Sequence, residues 1–210
     1  MNEDRLVCTF FTKIGACRHG EKCSRKHLKP AVLCTILIPN FYVSPSTDKE
    51  GGVEDFFDNF YMDVFVRLAE FGEITGMVVC ENANYHLNGN VYVRYKNAES
   101  AQRAVIELNQ CWFNGRPVHC ELSPVENFSD ANCRAYDNKS CSREYCNFMH
   151  TRRPSGKLKG LLYKAQQKSL VEEKLERVKK MVMEGTTDLK KDPLAPAPTS
   201  ASTLLESMLN

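Results

Sequence analysis

Cys8-Thr-Phe-Phe-Thr-Lys-Ile-Gly-Ala-Cys17-Arg-His-Gly-Glu-Lys-Cys23-Ser-Arg-Lys-His27 holds four potential metal ligands spaced C-x8-C-x5-C-x3-H. A second set, Cys133, Cys141, Cys146 and His150, is spaced C-x7-C-x4-C-x3-H. Zinc favours four soft or borderline ligands in a tetrahedron, and three thiolates with one imidazole supply them. The first two gaps each shorten by one residue while C-x3-H is unchanged, so the second set reads as a copy of the first. Buried free cysteines would leave the paired histidines unexplained. The spacing therefore predicts two structural Zn2+ ions. Each site is closed by four protein ligands, whereas catalytic zinc keeps an open position. The two sets are also too far apart to interleave as in a ligase RING, so an enzyme is not expected.

The rest of the 210 residues is ordinary in balance, 42% hydrophobic and 26% charged, with room for one domain beside small modules. The opening MNEDRLVCTFF lacks the basic-then-apolar pattern of a signal peptide. No apolar run approaches the ~20 residues that span a bilayer, so no membrane partner is expected. Ten cysteines in such a chain point to a reducing compartment and metal binding. Cys34, Cys80, Cys111 and Cys120, outside the metal sets, read as small core residues. Net charge is only +2, but it is unevenly spread. Lys13–Lys29 has six Lys/Arg against one acid, and Arg134–Lys159 seven against two. Asp48–Glu73 has eight acids against two bases. Phosphates are drawn to the two ends and repelled from the middle.

Between the metal sets, Cys34–Tyr42 is a short apolar run with β-branched residues and reads as a strand. A polar stretch with Pro45, Gly51 and Gly52 reads as an exposed loop. Val53, Phe57, Phe60, Val64, Leu68 and Phe71 recur at helical spacing, and Gly72 suits the helix end. Residues 73–80 and 89–95 read as strands joined by the polar loop ENANYHLN. Asn97 caps a second helix with Ala101, Ala104, Val105 and Leu108 facing inward. Asn114-Gly115 makes a turn before a last strand, Pro117–Leu122.

This βαββαβ order is that of an RNA recognition motif, an α+β fold. Asn88-Gly89-Asn90-Val91-Tyr92-Val93-Arg94-Tyr95 aligns with that family's RNP1 signature, K/R-G-F/Y-G/A-F-V-x-F/Y. Asn88 and Asn90 replace its base and one aromatic, so Tyr92 alone keeps a ring on the exposed sheet face. Leu37 stands where the RNP2-like strand would carry another. Base stacking is worth ~1–3 kcal/mol per base, so losing two platforms removes much of the usual grip. The sheet is not expected to read RNA. Elsewhere, Asp55, Asn59 and Asp63 share one helix stripe, with Glu54 and Asp58 beside it, and Trp112-Phe113 sits at an expected loop. These residues form either a partner anchor or a core cover beside a solvated face, and the residues alone leave both open.

Two such fingers around an RNP-poor recognition motif resemble the small subunit of the U2 snRNP auxiliary factor. The first finger carries the resemblance, with Gly89-Asn-Val-Tyr-Val, Trp112-Phe113-Asn114-Gly115, Glu121-Leu-Ser-Pro124 and Cys146-Asn-Phe-Met-His150. It covers about residues 5–155 in order. The resemblance implies a CCCH zinc finger over 1–30, an RRM-like U2AF homology motif over 33–124 and a second CCCH finger over 127–154. A basic amphipathic helix is expected over 157–184 and a disordered tail over 185–210. The implied protein is a nuclear pre-mRNA splicing factor subunit. It binds single-stranded pre-mRNA at the AG dinucleotide of the 3′ splice site and heterodimerises with a large subunit. The homology motif captures a tryptophan from a ligand peptide, and Trp112 resembles the tryptophan given in return. Asp55, Asp58, Asp63 and Phe113 are the other partner-binding candidates. In departure from the family's Arg-x-Phe, Cys111 occupies the Arg position, and Arg67 interrupts the acidic stripe.

Within the fingers, Phe10 and Phe11 are candidate rings, one for the metal side and one for RNA. Arg18, Ser24 and Arg25 offer phosphate contacts, guanidinium stacking and hydroxyl hydrogen bonds. Arg143, Asn147 and Phe148 hold comparable places in the second finger, although Phe148 also suits zinc-core packing. His19 competes with His27 as ligand, but the x3 spacing favours His27. One finger supplies little discrimination for so short a site. Reading both bases needs the fingers side by side, which central first and last strands would arrange. The C-terminal stripe of Leu162, Ala165, Leu175, Val178 and Val182 fits a helix packed on the body or a basic arm. The alternative function is a general CCCH-type mRNA-binding protein in decay or export, which needs the fingers but neither the acidic helix nor the Trp-Phe pair.

Overall fold

The structure is a computed structural model and describes residues 7–45 and 52–183. A five-stranded antiparallel sheet lies at its centre, in the order β6-β1-β3-β2-β7. Its strands are β1 (Thr35–Ile38), β2 (Ile74–Cys80), β3 (Val91–Tyr95), β6 (Glu121–Ser123) and β7 (Thr151–Arg152). Alternation along the strands sends Ile36, Ile38, Met77, Val79, Val91, Val93 and Tyr95 to one face. There they meet α2 (Val53–Ala69) and α3 (Ala98–Leu108). Phe57, Phe60, Tyr61, Val64, Phe65 and Leu68 form the buried face of α2. The Asn97 side chain caps α3 by accepting the Ser100 N–H at 2.8 Å, an arrangement worth ~1 kcal/mol.

The other face differs from expectation. Leu37, Cys80 and Tyr92 point there, and Tyr92 is fully buried. Ile14 from the first finger, Ala131 and Met149 from the second, and Val125 between them complete this second core. Phe128 meets Tyr92 edge-on, with ring centroids 6.4 Å apart. The Tyr92 ring is therefore not on an exposed surface. The placement of the strands also differs, because β6 forms the sheet edge and pairs with β1 alone among the described residues. The fingers converge because both fold back over one face.

Trp112 and Phe113 lie on a short strand, not a loop. This β4 (Trp112–Phe113) pairs with β5 (Arg116–Pro117) across Asn114 and Gly115, whose φ angles are 48° and 74°. Two positive φ values suit the two-residue turn that follows right-handed strand twist. The last strand of the domain consequently begins at Glu121.

The chain divides into two compact units, Met1–Lys168 and Ser169–Asn210, and α6 (Gly156–Met183) has residues in both. In the first unit α6 buries Leu162 and Gln166, with Leu158 and Tyr163 partly covered. Ala165 is exposed, so the packed face is rotated from the expected stripe. The Gln166 amide accepts the Ile74 N–H at 2.9 Å and donates to the Ile74 carbonyl at 3.0 Å. In the second unit Val171, Leu175, Val178 and Val182 are exposed, and Lys179 pairs with Glu176 at 2.7 Å. The tail expected from residue 185 lies outside the described residues, as does most of the loop expected before Val53. No helix among the described residues is long and apolar enough to cross a membrane.

Finger 1 meets the sheet through Gly15, which ends α1 (Thr9–Ile14) at φ 72°. A methyl group there would collide with Ser123 Oγ and lie 3.1 Å from the Tyr92 ring. Gly20 has φ 49° but open space around it. A left-handed L-residue costs ~1–2 kcal/mol, so Gly20→Ala should lose about that much stability. Gly15→Ala adds overpacking of ~1–3 kcal/mol and should lose clearly more in denaturant melts of the two variants.

Candidate zinc centres and nucleic-acid interface

Both metal sets are built the same way. A short helix follows the first cysteine, α1 after Cys8 and α5 (Arg134–Asp137) after Cys133. The N–H of Cys8 donates to the Lys26 carbonyl and that of Cys133 to the Met149 carbonyl, both at 2.9 Å. Each bond draws the first ligand beside the histidine. The aromatic three residues after the first cysteine then stacks on that histidine. Phe11 lies 4.3 Å from His27 with planes 3° apart, and Tyr136 lies 4.0 Å from His150 with planes 9° apart. Backbone N–H groups of His19, Arg25, Arg143 and Phe148 donate to Cys17, Cys23, Cys141 and Cys146, each two residues earlier.

The four ligand atoms of each set lie within 4.8 Å of one another. Cys133 Sγ and Cys146 Sγ are 3.7 Å apart. That matches the ~3.8 Å edge of a tetrahedron with ~2.3 Å zinc–sulfur bonds. Nε2 of His27 and of His150 is buried without a hydrogen-bond partner, as a metal-facing nitrogen should be. His19 stays outside the set and accepts a hydrogen bond from Arg18 Nε at 3.2 Å. The residues fit two zinc ions, held by Cys8, Cys17, Cys23 and His27 and by Cys133, Cys141, Cys146 and His150.

Electrostatics explain why the cation matters. Burial among neighbouring sulfurs pushes the Cys17 and Cys146 thiols up to about 11. Backbone donation from Arg25 and Arg143 holds Cys23 and Cys141 below the ordinary thiol range. Burial lowers the His150 imidazole and favours its neutral, ligating form. A bound divalent cation deprotonates coordinating thiols and ties folding to metal.

The polar loop between β2 and β3 clamps finger 2, a role that sequence reading missed. Asn82 accepts the His150 N–H at 2.9 Å and donates to the Phe148 carbonyl at 2.9 Å. Asn84 donates to the Cys146 carbonyl at 2.6 Å. Tyr136 OH donates to Glu81 at 2.7 Å, and the Glu81 N–H donates to the His150 carbonyl at 2.8 Å. A run of asparagines is the only sequence signal, and it reads equally as solvated loop.

The fingers consequently sit side by side. Phe10, exposed, meets the half-buried Phe148 edge-on at 6.3 Å, while Phe11 is taken up by His27. A cleft of about 630 Å³ runs between the fingers; its lining includes Lys13, Arg134, Arg143 and Phe148 together with the acids Glu126 and Asp130. Arg18 lines a different cleft, beside the β2–β3 loop. Ser24, Arg25 and Arg143 are exposed and Asn147 is half-buried.

Comparison with known proteins agrees with this architecture. Residues 3–29 match the family model for zinc fingers of C-x8-C-x5-C-x3-H type, and residues 63–119 that for the RNA recognition motif. The chain is 46% identical over 185 residues to the splicing factor U2AF 23 kDa subunit of Schizosaccharomyces pombe, covering 85% of this chain and 86% of that one. It is 45% identical over 174 residues to the U2AF 26 kDa subunit of Bos taurus, covering 77% and 79%. The U2af 38 kDa subunit of Drosophila melanogaster is 41% identical over 182 residues, covering 80% and 69%. The chain belongs to the U2AF small-subunit family. That family consists of splicing factors and not enzymes, in keeping with two closed metal sites.

On the far side of the sheet, this U2AF small-subunit homologue has an apolar cavity of about 250 Å³. Ile38, Phe41, Val64, Leu108 and Phe113 line it, with Asp63 and Arg67 at its polar part. Phe113 packs on Phe41 with centroids 4.7 Å apart. Cys111 also lines the cavity, half-buried, so it is not a plain core residue. Arg67 reaches Cys111 and Glu70 from α2, and both neighbours keep it protonated. Of the acidic candidates only Asp63 lines the cavity. Asp58 instead accepts the Ser155 N–H at 3.0 Å at the start of α6, and Asp55 lies in the first turn of α2. Trp112 is 72% exposed.

Elemental analysis of the purified chain should return two zinc per chain. Cys23→Ser and Cys141→Ser should each retain one, and the double variant none.

Proposed function

We propose that this chain is the small subunit of a nuclear heterodimer that reads the AG dinucleotide of the 3′ splice site with both zinc fingers. The observation that carries the reading is the seating of two basic fingers on one sheet face, with a cleft between them. A single unpaired strand fits such a cleft. Phe10 and Phe148 offer rings at its rim, and Lys13, Arg134 and Arg143 offer charge for phosphates. The recognition-motif sheet takes no part, because its usual base platform is the fingers' seat. A good bidentate base contact is worth ~1–3 kcal/mol, so two bases read by two fingers give useful discrimination only when both are present.

The large subunit docks on the opposite side. Its tryptophan enters the apolar cavity beside Phe113, with Asp63 and Arg67 at the mouth. Arg67 supplies from α2 the cation that Cys111 does not supply at its own position. Trp112 is offered to the partner in return. A general mRNA-binding protein would need the fingers but not this cavity or an exposed tryptophan.

Fluorescence anisotropy with a short AG-containing RNA tests the finger reading. Cys17→Ser or Cys141→Ser should each lower affinity about a hundredfold or more, since a strand held between two fingers loses its grip when either unfolds. Near-normal binding by either variant would contradict it. Separately, Trp112→Ala should weaken binding to a large-subunit fragment by ~2 kcal/mol or more in calorimetry, as expected for a buried aromatic anchor.

A further inference from the structure

Tyr85, in the β2–β3 loop, is 74% exposed and yet held at both ends. Its hydroxyl donates to the Arg18 carbonyl at 2.6 Å. Its own carbonyl accepts from Asn40 Nδ2 at 3.0 Å, and the same amide reaches the Asn88 carbonyl at 2.7 Å. Ordering a long side chain costs conformational entropy, and an exposed ring recovers little of it by burial. A fixed ring facing water is a preorganised stacking surface.

Its surroundings suit a nucleotide. Tyr85 lines a cleft of about 820 Å³ between finger 1 and the end of the sheet, with Arg18, His19, Lys29 and His86. His86 Nδ1 is buried without a hydrogen-bond partner. Acids are present too: Glu121 is paired with Lys29 at 2.9 Å, and Glu21 also lines the cleft. Thr12 and Lys13 line the between-finger cleft, whereas Gly15 to Glu21 line this one. Finger 1 thus separates two clefts, and a strand leaving the first and rounding the finger meets the second.

We propose that this second cleft is a further nucleotide site, in which a base of the same RNA strand, beyond the AG, stacks on Tyr85. Arg18 meets its phosphate, and His86 Nδ1 bonds the base edge or the 2′-hydroxyl. The site rests on the finger-based reading of RNA above and extends it by one base.

Anisotropy with the zinc-loaded full chain tests it. The RNAs are an AG core, the core lengthened by one to four nucleotides at either end, and the same extensions made abasic. Lengthening at one end should tighten binding about tenfold, the usual scale of one base–aromatic stack. Abasic extensions should give none of that gain. Tyr85→Ala should abolish the gain while leaving core binding and two zinc per chain unchanged. Tyr85→Phe, which keeps the ring, should retain it. Core binding with no gain from any extension, an equal gain from abasic RNA, or a gain that survives Tyr85→Ala would overturn the site and leave the AG reading standing. Equal loss in both variants would assign the effect to the hydroxyl tie and also overturn it. Failure to bind any of these RNAs would overturn both readings.

Discussion

Burial of Tyr92 beneath the two fingers is the contact on which the rest of the molecule depends. A four-stranded recognition-motif sheet has helices on one side and leaves the other to water or RNA. Here Ile14 and Met149 come down on that second side from the two fingers, and Tyr92 and Leu37 meet them. The result, within the first unit, is three layers of helices, sheet and metal modules. Each finger alone is too small to hold a core, and below about 40 residues metals or similar staples are usually needed. Seating on the sheet gives each a floor, and zinc fixes the loop that presents the floor-facing residue.

Folding and recognition are therefore coupled through the same residues. The Asn82 side chain bonds both the His150 N–H and the Phe148 carbonyl, so the loop that orients a zinc ligand also positions a ring at the cleft. Phe11 stacks on His27, while its neighbour Phe10 faces across to Phe148. The surroundings of each metal-set histidine thus hold one of the two rings that face each other. The partner cavity uses the helical side of the sheet and shares no lining residue with the finger clefts; β1 lies between them, with Ile38 toward the cavity and Leu37 toward finger 1.

Much of this was legible in the sequence where one residue type at a fixed spacing does one job. Ligand spacing located both metal sets, helical periodicity located α2 and α3, and Asn97 announced its cap. Coverage of the sheet was not legible, because Ile14 and Ala131 end helices too short to show a period, α1 and α4 (Phe128–Ala131), and Met149 sits in an isolated bridge. Tyr92 looked like a surviving RNA platform for the same reason, since alternation gives a face but not what lies over it. Asp58 read as one more acid beside a stripe, and only the fold brings Ser155 to it. Trp112 and Phe113 make a strand too short for alternation to reveal.

The two hydrogen bonds between the Gln166 amide and the Ile74 backbone have a consequence for solubility. An outer strand with unpaired N–H and carbonyl groups is a template on which other molecules add strands and aggregate. Along β2, the two residues of β7 occupy the far end at Val79 and Cys80, and a helix side chain imitates a neighbouring strand at the near end. Three residues thus cover both extremities of this border, which hinders the addition of another strand along β2.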